Sequence, residues 1–161
     1  MPSAIATVGV YGSTLERFLH ALDEADVRTL IDVRQRRAVR GPEYAWANSQ
    51  RLQRVLAEAG LGYRHLPELA PTTELRHLQY AIDDAAGVGK RSRKELAPEY
   101  VERYREEILE RADLEELLDA LPDDGLGALM CVERDPQACH RSLIAERVAS
   151  EFGFEVINLH P

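Results

Sequence analysis

The segment CVERDPQACHRS, residues 131–142, gathers two thiols, an imidazole, two acids and two arginines into twelve positions. A thiol beside a helix N-terminus and cations is acidified and nucleophilic. An imidazole moves protons near neutral pH, and a guanidinium fork holds carboxylate or phosphate. Cys139 and His140 are therefore candidate catalytic residues, the first as thiolate nucleophile and the second as general acid/base, with Asp32 to orient a partner or a ligand hydroxyl. Arg34 and Arg141 are the candidate anion holders. The same residues also have a purely structural reading. Cys131 closes an apolar run and reads as a small core residue, and Arg141 paired with Asp32 or Glu133 would tie a strand end to a helix.

Tighter motifs fail. Cys131 and Cys139 are separated by seven residues, too many for a zinc knuckle, so no metal is expected; Cys131, Cys139, His140 and His65 are the one set that could supply ligands. A phosphatase loop starting at Cys131 would need arginine at position 137, which is Gln. GVGKRS has Asp84 and Arg91 where a phosphate-binding loop needs Gly and Ser or Thr, and Gly9 with Gly12 completes no dinucleotide fingerprint. No cofactor is expected.

Elements must position these groups. AIATVGV (4–10) reads as a strand, followed by a helix over 13–25 with Ser13 as N-cap and Glu16 closing a capping box. VRTLIDVR (27–34) is a second strand, apolar enough to be buried on both faces, and 35–48 is a loop. A helix over 49–60, capped by Ser49 and stopped by Gly60, leads to a short strand in 62–69. Helical patterns cover 73–86 and 98–121, joined by a basic turn; then come a strand (126–132), a helix (139–153) with Ile144, Val148 and Phe152 one turn apart, and a last strand (154–159). Asp135-Pro136 either starts that helix or forms a separate turn, and the second option is preferred because it sets Cys139 at the helix N-terminus. The alternation predicts one α/β domain over residues 1–161. It has three layers: a mostly parallel sheet of about five strands with helices on both faces, and a helical insertion before the fourth strand.

Ligands of open parallel sheets bind beyond the carboxyl ends of the strands. There the pattern places Tyr11, Gly12 and Ser13, then Asp32 and Arg34, then His65 and Glu68, then Cys131 and Glu133. The reading is a pocket for a phosphate- or carboxylate-bearing small molecule or a nucleotide, bound by Arg34, Arg141, Glu133, Tyr11, Gly12, Ser13 and Glu68.

The net charge of −8 argues against bulk electrostatic binding of nucleic acid. Its distribution is uneven. Residues 28–64 hold eight arginines against three acids, and residues 95–124 hold twelve acids against three arginines. The alternative function is thus a nucleic-acid contact through the arginine-rich loop 34–40, with Arg34, Arg36, Arg37 and Arg40, and with Tyr44 and Trp46 available for stacking. Two cysteines make no disulfide framework, and the start MPSAIATVGVYGS has neither a basic leader nor an apolar run long enough for a membrane span. A cytoplasmic protein without membrane partners is expected.

TVGVYGSTLERFLHAL, LIDVR with its arginine loop, GYRHLPEL and LMCVERDPQACHRSLIAE together resemble the domain of unknown function 488 family across nearly the whole chain. The most specific element is Cys131, Glu133, Pro136, Cys139, His140 and Arg141; Asp32-Val33-Arg34 is the second. The family's Ile-Gly-His or Ile-Gly-Tyr turn is replaced here by Val8-Gly9-Val10-Tyr11. The resemblance implies a small cytoplasmic α/β protein and assigns no activity.

Overall fold

The apolar runs form strands β1 (Ala4–Val8), β2 (Val27–Asp32), β3 (Gly62–His65), β4 (Leu126–Met130) and β5 (Glu155–Asn158). A computed structural model describes residues 3–89 and 91–161. Met1 and Pro2 of the expected domain, and Lys90 of the basic turn, lie outside the described residues. The strands build one all-parallel sheet in the order β3-β2-β4-β1-β5. Ile5, Ala6, Thr7 and Val8 are completely buried in β1, whereas the edge strands β3 and β5 carry only exposed and half-buried residues. Central parallel strands are covered on both faces, and this is why they read as continuous apolar runs.

Between the strands lie α1 (Leu15–Glu24), α2 (Ser49–Glu58), α3 (Thr73–Ala85), α4 (Pro98–Tyr104), α5 (Leu114–Ala120) and α6 (His140–Phe152). The chain steps from β1 to β2 to β3 in one direction along the sheet and from β3 to β4 to β5 in the other. With right-handed crossovers that reversal puts α1 and α2 on one face and α3 to α6 on the other. Accordingly α1 packs on β2 and α2 on β3, while α4 packs on α6. β4 lies between β1 and β2, whose connections leave toward the opposite face, so a crevice opens at its carboxyl end.

Four local expectations are corrected. Thr14, not Ser13, caps α1: its hydroxyl accepts from Arg17 N at 3.2 Å. Ser13 is drawn into the preceding turn, where Gly12 has φ +80° and Ser13 N donates to Val10 O, so its own hydroxyl donates to Thr14 O instead. Ser49 is the first residue of α2 rather than its cap, and Asn48 Oδ1 accepts from Val39 N, pinning the arginine loop. The helix expected over 98–121 is interrupted: α4 runs into a π turn (Arg105–Leu109), and Asp113 caps a new helix by accepting from Glu115 N. Ile144 and Val148 are buried as their spacing predicts, but Phe152, at the last turn of α6, is 38% exposed.

Candidate functional site

The site begins where β4 ends. Tyr11 N and Val10 N both donate to Val132 O, stitching the chain after β4 to the chain after β1. Gly9 is required for this approach, because a Cβ there would stand 2.1 Å from the Glu133 carbonyl oxygen. Pro136–Ala138 then forms a separate 3-10 turn, Cys139 is extended, and α6 starts at His140, the preferred of the two arrangements. Cys131 is thus held on a strand end and Cys139 on a helix start, and the turn folds one back beside the other.

Cys131, Cys139 and His140 converge in the interior. His140 Nδ1 lies 3.7 Å from Cys139 Sγ and 4.0 Å from Cys131 Sγ, and Cys131 Sγ lies 3.4 Å from Glu133 Oε2. All three residues are buried and both thiols are free. His140 Nε2 is 2.7 Å from Val33 O. A carbonyl only accepts, so Nε2 carries a proton, and Nδ1 is the nitrogen turned to the sulfurs. Burial opposes charge on Cys139, yet the bond to Cys131, the adjacent imidazole and Arg141 hold its pKa well below the ordinary thiol value. The hydrogen bond to Cys139, together with burial, pushes Cys131 well above that value. Burial also disfavours the His140 cation, but Cys139 beside it and the Val33 carbonyl raise its pKa. Of the two thiols, Cys139 is therefore the one whose surroundings favour the thiolate.

A buried charge network backs this cluster. Arg93 reaches Asp83 Oδ2 at 2.7 Å and Glu133 Oε1 at 3.0 Å, and donates twice to Ala138 O, at 2.9 and 3.2 Å. Gln79 donates to Asp83 and accepts from Ala97 N, tying α3 to the start of α4. Tyr104 donates to Leu69 O and its ring lies 5.6 Å from that of His140. The helical insertion therefore walls the site. Arg93, Asp83, Gln79 and Tyr104 escaped the sequence reading: Arg93 sits in a run of basic residues that reads as solvated, and no spacing links it to residue 133.

The expected anion holders are placed differently. Arg34 is 2% exposed and makes a bidentate pair with Asp32 at 2.9 and 2.8 Å, while its Nη1 donates to Ala47 O. Burial opposes its charge, but Asp32 outweighs that and raises its pKa. Tyr63 also donates to Asp32. Arg141 is fully buried and binds backbone carbonyls, Glu133 O at 2.6 Å and Arg134 O at 3.1 Å, rather than the carboxylate of Asp32 or Glu133. It clamps the 133–134 backbone and lies outside the cavity lining.

Above the cluster opens a cavity of about 770 Å³. Cys131, Glu133, Cys139 and His140 contribute to its lining, as do Tyr11, Arg34, Arg36 and Arg40. Arg91, from the other side of the chain, also lines it and lies 5.1 Å over each of the rings of Tyr11 and Tyr44. Arg36 and Arg40 are exposed, and no acid among the described residues pairs with either. Three expected members fall elsewhere. Gly12 N donates to Tyr44 OH and Ser13 is occupied by its turn, so neither lines the cavity, and Glu68 is exposed beside Glu116. Within the candidate nucleic-acid loop, Arg37 points to Tyr63 OH, and Trp46 is 7% exposed with its ring 5.0 Å from Phe18. Trp46 is thus a core residue and no stacking platform, because the 3-10 turn Pro42–Ala47 rolls it inward.

These features define a doubly wound parallel α/β protein with a cysteine–histidine cluster at the base of an arginine-edged cavity. The chain belongs to the family described as domain of unknown function DUF488, whose model matches residues 14–148. No curated protein and no solved structure matches it. Among the described residues no helix is long and apolar enough to cross a membrane.

Proposed function

We propose that the cavity binds a small phosphate- or carboxylate-bearing molecule, a nucleotide among them, and presents it to the Cys139–His140 pair. The observation that supports this most is the pairing of two unlike regions in one hollow: guanidinium groups at the edge, sulfur and imidazole at the base. Arg36, Arg40 and Arg91 are the exposed groups that can meet an anion, Arg91 while also reaching Glu43 at 3.4 Å and the Arg40 carbonyl at 2.9 Å, whereas Arg34 and Arg93 are held by buried carboxylates. The ring of Tyr11, which lines the cavity beside Arg91, adds an apolar face suited to the planar part of such a ligand. Asp32 and Arg141 then act as positioning residues, one holding Arg34 and the other holding the backbone that carries Glu133. Free thiols suit the reducing cytoplasm. The nucleic-acid reading keeps Arg36 and Arg40 but loses Trp46, so the small-molecule reading is preferred.

Isothermal titration of the full-length protein with inorganic phosphate, pyrophosphate and AMP at low salt tests this. Saturable binding is expected for at least one of the three, weakened about tenfold or more in an Arg36→Ala/Arg91→Ala variant with an unchanged far-UV spectrum. Absence of saturable binding by all three, or equal affinity in the variant, overturns it.

A further inference from the structure

Cys131, Cys139 and His140 are more than an acid–base cluster: their donor atoms are spaced as in a metal site. A tetrahedral zinc shell with bonds of about 2.3 Å to sulfur and about 2.0 Å to nitrogen has sulfur–nitrogen edges of about 3.5 Å and a sulfur–sulfur edge of about 3.8 Å. The sulfur–nitrogen separations found here are 3.7 and 4.0 Å, and all three donor atoms lie within 4.8 Å of one another. Closing the sulfur–nitrogen separations by a few tenths of an ångström, and the sulfur–sulfur separation by no more than about 1 Å, would bring them onto one ion.

The surroundings are those of a metal-ligating histidine. Such a ring donates its other N–H to a carbonyl or carboxylate, which fixes the tautomer and aims the free nitrogen at the ion. His140 Nε2 does this to Val33 O at 2.7 Å. The donors are also held before any ion arrives: Cys131 N donates to Val8 O, Cys139 N to Pro136 O, and Tyr104 packs on the imidazole. Seven intervening residues ruled out a knuckle, but they do not rule out a site whose ligands sit on a strand end and a helix start.

We propose that Cys131, Cys139 and His140 Nδ1 bind one zinc-class divalent ion at the base of the cavity. Two thiolates and one imidazole suit a borderline-soft cation. The thiols release their protons on binding, and two thiolates balance the charge of the ion. All three ligands line the cavity, so the fourth coordination position faces it and is taken by water or by the bound molecule. Three protein ligands with a fourth position facing a pocket is the arrangement of catalytic rather than structural zinc. Glu133, anchored by Arg93 on one oxygen and 3.4 Å from Cys131 Sγ on the other, stands ready to accept a proton from a water bound there. The inference deepens the pocket reading and rests on it only for the identity of the fourth ligand.

The test is competition titration of the chelator-treated, reduced full-length protein with zinc chloride against a chromophoric chelator, without phosphate or nucleotide. One zinc per chain is expected. Cobalt chloride in its place should give the intense visible absorption of tetrahedral cobalt and a thiolate charge-transfer band. Cys131→Ser and Cys139→Ser should each weaken zinc by more than about a hundredfold, beyond what losing an outer hydrogen bond produces. Should the variants fail to fold, protection of the wild-type thiols against alkylation by zinc is the second readout, expected to slow the reaction at both cysteines. No stoichiometric zinc, unchanged affinity in a folded cysteine variant, or thiols alkylated equally fast with and without zinc overturns the proposal. Phosphate and AMP titrations of the chelated protein are scored separately, so loss of the metal site and loss of the anion site are told apart.

Discussion

Two sets of arginines surround the same sheet edge. Arg34, Arg93 and Arg141 are buried, and their guanidinium groups are taken up by Asp32, by Asp83 and Glu133, and by backbone carbonyls respectively. Arg36, Arg40 and Arg91 are exposed at the cavity, and among the described residues the one acid that reaches any of them is Glu43, 3.4 Å from Arg91 across solvent-exposed surface. Chemically the two sets are identical; burial separates their tasks. An internal guanidinium must be neutralised by the fold itself, which turns it into a fastener, whereas a solvated one keeps its donors for a ligand.

Replacing a member of each set should widen this difference. Arg93→Met has the largest expected effect on stability, since it leaves Asp83 and Glu133 buried without their shared cation; urea denaturation should show a loss of about 3–5 kcal/mol. A loss under about 1 kcal/mol would mean that water already neutralises the network. Asp32→Asn should cost somewhat less, about 2–4 kcal/mol by the same measurement, because Arg34 keeps its bond to Ala47 O and Tyr63 keeps an acceptor. Arg91→Ala should cost under about 1 kcal/mol, as an exposed cation over two rings contributes little to folding. Its consequence should appear instead in the affinity for phosphate or AMP. If Arg91→Ala destabilised the fold as much as Arg93→Met, the division between fastener and ligand-binding arginines would fail.

Much of the framework was legible. Alternating apolar runs and helical periodicities located all five strands, and the Asp135-Pro136 pair marked a turn that leaves Cys139 at the start of α6. Boundaries were less so: Ser13 and Thr14 are equally good caps by type, and only the turn at Gly12 decides between them. Cys139 and His140 stood out because rare groups fell close together. Arg141 stood out for the same reason and was assigned to a ligand, although its burial and its carbonyl partners are invisible in one dimension. Arg93 is the converse case, a buried hub inside a stretch whose composition reads as solvated surface.

What the amino-acid order determined alone was local: periodicity set strand against helix, side-chain type set which groups can react, and the short 131–140 connection brought two thiols and an imidazole within reach of one another. What the tertiary structure decided was which charges are enclosed and by whom. Glu133 meets Arg93 across forty positions, and His140 meets Val33 across more than a hundred, because parallel strands joined by crossovers bring distant strand ends to one edge. Desolvation at that edge depends on everything packed around it, so whether an arginine binds a ligand or braces the fold is a property of the assembled layers.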